Sequence, residues 1–358
     1  MMEELYPVVF TKDVFAEEND DLAKTLRTAT GIEHPKVLLV ADMNVVHHTE
    51  GLGTKIGRYI QEHGIELAAS PVVISGSEKA KGDNLQSAMR VASAAIEARV
   101  GVNDVMLVLG GGSMIDIAGW AASQVRGGMR LVRMPTTVAA MADAAYSPCA
   151  SLDICGVKDS MRVMSIPDAV VVDTGFATTI LDGVWRAGFA EAVRLALVSD
   201  AGLLKRLSEL AAPFRERDFD AMDEAVRKTV ELRRIKGATS FGLWAALRLE
   251  SMSGYRLPHG YAVAFGVVID AAYAQLRGLI SEDEKNLVRD LLLDCGAMDC
   301  AFHSRRLLEQ SESLLRGLDS WRLSTGSEAI VLPKGLGDST IEENPDRATM
   351  KEAINMLK

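Results

Sequence analysis

Cysteine is scarce in this sequence, with four residues in 358, and Cys149, Cys155, Cys295 and Cys300 form neither a CxxC pair nor a disulfide-rich pattern. That usage fits a reduced compartment, and the cytoplasm is the expectation. No apolar run reaches the length of about eighteen residues that would span a bilayer, so no membrane role is expected. The opening "MMEELYPVVFTKDVFAEEND" has no basic stretch leading into an apolar one, and no secretory signal is expected from it. Positive charge is in deficit: 39 Lys and Arg stand against 49 Asp and Glu, for a net charge of -10. Without a basic stripe to displace counterions, nucleic acid is not an expected partner. Internal repeats, low-complexity linkers and a G-x-G-x-x-G dinucleotide fingerprint are also missing.

What is present is an ordinary globular balance, 48% hydrophobic and 25% charged, in a chain long enough for two domains. The first half alternates buried β-branched runs with amphipathic segments. "KVLLVAD" at 36 to 42 reads as a strand and "TKIGRYIQEHG" as a helix stopped by Gly64. "SPVVISG" and "NLQSAMRVASAAIEARVG" form the next strand and helix. "DVMLVLGGGSMIDIAGWAASQV" gives strand, glycine turn and helix, and "MRLVRMPTT" and "DAVVVDT" are further strands. Alternation of this kind predicts a parallel sheet in a doubly wound, Rossmann-like α/β domain over residues 1–180. From about residue 181 to about 315 nearly every segment has a helical period, so an all-α domain over 181–358 is predicted, with "SEAIVLPKGLGDSTI" adding one late strand and a turn.

The glycine turn in "VMLVLGGGSMID" carries the strongest local signal. Three glycines between a buried strand and a helix let a ligand approach the backbone, and free N–H groups at a helix start attract phosphate. A tight βα turn that binds nothing has the same pattern, so both readings stand at this point. Asp42, closing the first clear strand, can accept from ribose hydroxyls or can cap the helix that begins at "MNVVHH". Cys149 reads as a reactive thiol or as inert packing. His47 and His48 read as surface or turn residues.

The segments "SGSEKAK", "GGGSMIDIAGWAAS", "RGGMRLVRMPTT", "IPDAVVVDTGFATTI", "GFAEAVRLAL" and "HGYAVAFG" resemble, in order and spacing, the dehydroquinate synthase-like sugar phosphate cyclases. The superfamily also holds glycerol dehydrogenases and iron-dependent alcohol dehydrogenases. The resemblance implies an NAD-binding α/β domain, a helical domain holding a divalent metal, and a homodimer. It assigns Asp42, Asn44, Glu78, Lys81, Gly111, Gly112, Ser113, Asp116, Thr136, Thr137, Asp143, Lys158, Phe176 and Thr179 to NAD. On the metal side it assigns Glu191 and His259, but Leu243 stands at the third ligand position and Leu247 at a substrate-contacting histidine. No His, Cys or carboxylate at nearby helical spacing takes over, and a catalytic zinc needs three protein ligands. Arg194 stands where the family has a lysine, and Lys236 is a further catalytic candidate beside Glu191, Arg194 and His259. Cys149, Asp159, Ser240, Ser320 and Trp321 replace substrate-side lysines and asparagines.

These features predict a divergent NAD-dependent cyclase-like enzyme acting on a polyol or sugar phosphate at a metal-poor site. Two alternatives remain open on the sequence: a polyol or alcohol dehydrogenase that releases NADH, and a non-catalytic NAD-binding homologue that acts through a partner. His259 reads as the surviving half of a metal site, as an acid/base or hydrogen-bond donor, or as a helix-start histidine satisfied by Glu191 or a carbonyl. Arg194, one helical turn after Glu191, is expected to neutralise that carboxylate.

Overall fold

A computed structural model describes residues 6–299 and 306–358; Cys300 lies outside them. The chain divides into two compact units, one ending at Ile180 and the other starting at Leu181.

The N-terminal unit is built on nine strands: β1 (Val8–Thr11), β2 (Lys36–Asp42), β3 (Glu66–Leu67), β4 (Val72–Ile74), β5 (Val105–Gly110), β6 (Arg130–Pro135), β7 (Cys149–Ile154), β8 (Val157–Met164) and β9 (Ala169–Asp173). Seven of them form a parallel sheet in the order β1-β9-β6-β5-β2-β3, with β4 also pairing β2. β5 and β9 are buried at every residue, and β2 at all but its first. Continuous apolar runs of this kind are what a sheet covered on both faces requires. The helices are α1 (Asp21–Thr30), α2 (Met43–His48), α3 (Leu52–Glu62), α4 (Glu78–Lys81), α5 (Gln86–Glu97), α6 (Gly112–Gln124) and α7 (Val138–Ala142). From β2 the chain places β3 and β4 on one side and β5 on the other, so the winding reverses between β2 and β5. In open parallel sheets, ligands bind beyond the carboxyl ends of the strands at such a reversal.

β7 and β8 stand apart as an antiparallel hairpin with an irregularity between Leu152 and Ile154. The sequence reading passed over this pair. β8, "VKDSMRVM", is mostly exposed and has no clean apolar alternation, so nothing in its pattern marks it as a strand.

The C-terminal unit is helical: α8 (Asp182–Ala187), α9 (Phe189–Leu197), α10 (Ala201–Arg215), α11 (Phe219–Lys236), α12 (Leu243–Met252), α13 (His259–Leu276), α14 (Glu282–Asp294), α15 (Ser311–Thr325) and α16 (Arg347–Asn355). α13 is buried from Gly260 to Ala274 and forms the core of this unit, which explains its apolar composition on all sides. Among the described residues no helix is long and apolar enough to cross a membrane. Two glycines let α13 be packed so closely. A Cβ at Gly260 would lie 2.2 Å from the Ala187 carbonyl oxygen, and one at Gly266 would lie 2.1 Å from that of Gly242. The one late strand expected after residue 327 is a pair, β10 (Ile330–Pro333) and β11 (Ser339–Glu342), antiparallel, with Gly335 and Gly337 at positive φ in the connection.

Candidate active site

Several of the residues assigned to NAD gather at the carboxyl ends of the parallel strands. Asp42 ends β2 and caps α2, accepting from the Asn44 amide at 2.9 Å, and it also accepts from the Gly76 amide at 3.2 Å. Any side chain on Gly76 would strike this carboxylate, since its Cβ would lie 2.1 Å from Asp42 Oδ2. His47 and His48 are exposed at the end of α2. Beyond β5, Gly111 is extended and α6 starts at Gly112 without a side-chain cap, leaving its first N–H groups without intrahelical acceptors. Thr137 caps α7 beyond β6, and the hydroxyl of the fully buried Thr136 has no hydrogen-bond partner among the described residues. Asp143 follows α7. Phe176 is buried edge-on to Phe15, and the Thr179 hydroxyl donates to the Phe176 carbonyl.

A second group is drawn together by charge. Lys81 Nζ lies 2.8 Å from Asp116 and 2.7 Å from Asp159, and Lys158 Nζ lies 2.5 Å from Glu78 and 3.2 Å from Asp153. Ser113 donates to Glu78, and Ser151 donates to Asp159 at 2.7 Å. Burial alone would lower the Lys81 ammonium, but Asp116, Asp159, Glu78 and Asp153 outweigh it and hold it well above the ordinary lysine value. Burial would raise the Asp159 carboxyl; Lys81 and Lys158 reverse this and hold it well below the usual range. Asp116 and Asp153 are raised, chiefly by burial, against the pull of the lysines. Five of the assigned positions, Glu78, Lys81, Ser113, Asp116 and Lys158, thus share one network. Asp153 and Ser151, which complete it, were not singled out in the sequence because they belong to the unrecognised hairpin.

In the helical unit, α9, α12 and α13 bring four groups together. Glu191 and Arg194 are one turn apart on α9, both buried. Arg194 donates to Glu191 Oε2 from Nε at 2.8 Å and Nη2 at 2.7 Å, and its Nη1 donates to the Thr239 carbonyl. His259 opens α13; its Nε2 lies 3.2 Å from Glu191 Oε1 and its Nδ1 lies 2.8 Å from Glu250 Oε1 on α12. Burial opposes the imidazolium, yet the Glu250 charge and its hydrogen bond, together with the nearby Glu191 carboxylate, hold its pKa well above the usual histidine value. Burial opposes ionisation of Glu191 as well, and Arg194 and His259 bring its carboxyl down to about 2. Glu250 was missed in the sequence. The available signal was an acid seven residues after Leu243, hence on the same face of α12, in a helix with an otherwise buried flank.

Asp270 of α13 fixes where α12 begins. It accepts from the Gly242 amide at 3.0 Å and from Trp244 Nε1 at 2.8 Å, and burial pushes its carboxyl up to about 7. Leu243 and Leu247 are half-buried on α12.

The residues present do not fit a resident divalent ion. Glu191 and His259 offer two donors, Leu243, at the position the resemblance gives the third ligand, offers only carbon, and Glu250 lies at the other ring nitrogen, where it holds the imidazole. Glu191 Oε2 is already bound by a guanidinium. Among the described residues no group of three or more His, Cys, Asp or Glu is arranged to hold a metal.

Other candidates stand apart. Lys236 is exposed at the end of α11 and makes no hydrogen bond or ion pair among the described residues. Cys149 is half-buried, with its sulfur 3.8 Å from that of Met164. Ser320 is exposed, and Trp321 Nε1 donates to the Ala329 carbonyl at 3.0 Å.

The family model for the N-terminal part of 3-dehydroquinate synthase matches residues 71–186, and the model for its C-terminal part matches residues 188–310. Curated 3-dehydroquinate synthases are similar along nearly the whole chain. That of Cereibacter sphaeroides is 28% identical, covering 95% of this chain and 92% of its own, and that of Prochlorococcus marinus is 27% identical over 94% and 91%. Among solved structures, 2-epi-5-epi-valiolone synthase from Streptomyces hygroscopicus with NAD+ and Zn2+ bound shares the fold with a TM-score of 0.83 at 23% identity, covering 98% of this chain and 96% of its own. A 2-deoxy-scyllo-inosose synthase complexed with carbaglucose-6-phosphate, NAD+ and Co2+ does so with a TM-score of 0.77 at 18% identity, covering 98% and 96%. A fold with a winding reversal at β2 and β5, and two family matches that together span most of the chain, lead to one conclusion: the chain belongs to the 3-dehydroquinate synthase family.

Proposed function

We propose that this protein is a divergent NAD-dependent sugar phosphate cyclase-like enzyme that acts on a polyol or sugar phosphate. The observation that carries this reading is the convergence of Asp42, the Gly111–Gly112 turn and the uncapped start of α6 at the winding reversal of a parallel sheet. Such a place suits a dinucleotide: an acid for ribose hydroxyls on one strand, and open backbone N–H groups for a pyrophosphate on the next. NAD supplies reversible hydride acceptance. The Lys81 and Lys158 network orders the nearby polar groups before a ligand arrives, which lowers the entropy cost of binding.

On the substrate side, His259 is oriented by Glu250 at Nδ1, and its Nε2, 3.2 Å from Glu191 Oε1, is the nitrogen that can turn its N–H from that carboxylate to a substrate oxygen. Arg194 and Glu191 hold that arrangement. The enzyme works in the cytoplasm as a homodimer on this reading, matching its low cysteine content and its family.

The test is calorimetric titration with NAD+ followed by incubation with a panel of polyol and sugar phosphates, watched at 340 nm and by phosphate release. Binding with phosphate release and no net absorbance change supports the cyclase. Net absorbance growth assigns the polyol dehydrogenase instead, and NAD+ binding without turnover of any compound assigns the non-catalytic homologue. Failure to bind NAD+ sinks the proposal.

A further inference from the structure

We infer that the Arg194 guanidinium is the resident cation of the Glu191 site and does there, permanently, the neutralising work otherwise left to a metal ion. The inference rests on reading Glu191 and His259 as functional positions, as above.

Every part of the geometry bears on it. Arg194 is 2% exposed and Glu191 is 1% exposed at the side chain, so each needs the other's charge. The guanidinium meets one carboxylate oxygen through two nitrogens, at 2.8 and 2.7 Å, and sends the third to the Thr239 carbonyl. Contacts through all three of its nitrogens fix it in place, and it keeps its charge at any pH the fold survives. The other Glu191 oxygen is buried, with the His259 ring 3.2 Å away. An incoming dication would find two donors, a leucine and a guanidinium against the same carboxylate. Binding would either set two cations side by side or expel Arg194 and leave its charge buried and unpaired. Arg194 is a positioning residue on this account: it holds Glu191, which with Glu250 holds the His259 ring.

The experiment uses the full chain, freed of metal by chelator and then titrated with Co2+ and Zn2+, with metal content measured by elemental analysis and tetrahedral Co2+ by its visible absorption. Well under one equivalent of metal, with no Co2+ band and no change in melting temperature on adding Zn2+, is expected. A stoichiometric ion that disappears in Glu191→Gln overturns the inference. The second arm is Arg194→Ala, expected to melt roughly 5–10 °C lower and to regain part of the loss in millimolar guanidinium but not in matched NaCl. An unchanged melting temperature in that variant, or equal effects of the two salts, overturns it. Should Arg194→Ala not fold, Arg194→Lys takes its place: a lysine cannot reproduce the two-nitrogen contact, and a melting temperature equal to wild type overturns the inference. None of these readouts needs turnover. A chain without cyclase activity that excludes metal keeps this inference while losing the proposed function, and an active chain with a stoichiometric ion does the reverse.

Discussion

Replacing Asp270 by Asn isolates the stability effect of one buried carboxyl. In the wild type its pKa rises from the ordinary 3.8 to about 7, with burial as the main cause and Trp244 and the Gly242 amide opposing it. A folded-state pKa raised above the unfolded one means that the folded chain binds more protons between those values. Its contribution is fully present below pH 3.8 and is lost as pH rises through about 7. One step in pKa corresponds to about 1.4 kcal/mol, so the full window is worth about 4 kcal/mol, and the part between pH 5 and pH 8 is worth roughly 2–3 kcal/mol. Asparagine has nearly the same shape and cannot ionise; its single oxygen can serve only one of the two donors, a loss common to both pH values that cancels in the comparison. Urea unfolding of both proteins at pH 5 and pH 8 should therefore show the Asp270→Asn protein gaining roughly 2–3 kcal/mol on wild type at the higher pH. An Asp270→Ala protein, which leaves two buried donors without an acceptor, should be weaker at both pH values by roughly 2–5 kcal/mol. If the gap between wild type and Asp270→Asn is the same at pH 5 and pH 8, the carboxyl does not change charge between them, and the reasoning that burial places its titration near 7 fails.

Gly266→Ala should destabilise the helical unit by roughly 1–3 kcal/mol in urea unfolding, because the new Cβ would meet Gly242 backbone that cannot swing aside. Gly278→Ala, at φ 72° with nothing within 4 Å, should cost only about 1–2 kcal/mol, from the left-handed backbone alone. Lys81→Met leaves Asp116 and Asp159 facing one another without their ammonium and should cost roughly 3–5 kcal/mol near pH 7. Because Asp159 is held below its ordinary value, the stability it contributes is lost as pH falls below about 4, so the gap between Lys81→Met and wild type should narrow there; a pH-independent gap would argue against the ion pairing.

The parallel sheet was legible because its strands are buried on both faces and so appear as uninterrupted apolar runs, with Asp42 and the three glycines standing out where the runs stop. The hairpin of β7 and β8 was not legible, since its exposed strand alternates only weakly, and with it went Asp153 and Ser151. In the helical unit the pairing of Glu191 with Arg194 followed from their spacing on one helix. Glu250 could not be paired with His259 in the same way. The two lie on different helices, nine residues apart across a turn, and only the packing of α12 on α13, fixed by Asp270 and by close approach at Gly266, brings the carboxylate to Nδ1. Sequence spacing reports contacts within an element well, and contacts between elements only through patterns of burial.

The far side of β2 is covered by two fragments, β3 of two residues against Lys36 and Val37, and β4 of three residues against Val40 to Asp42. At the opposite border β1 has four residues. A border strand offers its unpaired N–H and C=O groups to any other chain, and a long flat one invites stacking into fibrils. Among the described residues neither border of this sheet presents more than four consecutive strand residues, and one is interrupted partway, so a second molecule finds no continuous ladder to extend along it. The sheet's strongly apolar interior strands, which would be hazardous at a border, are thereby kept from seeding aggregation in the native protein.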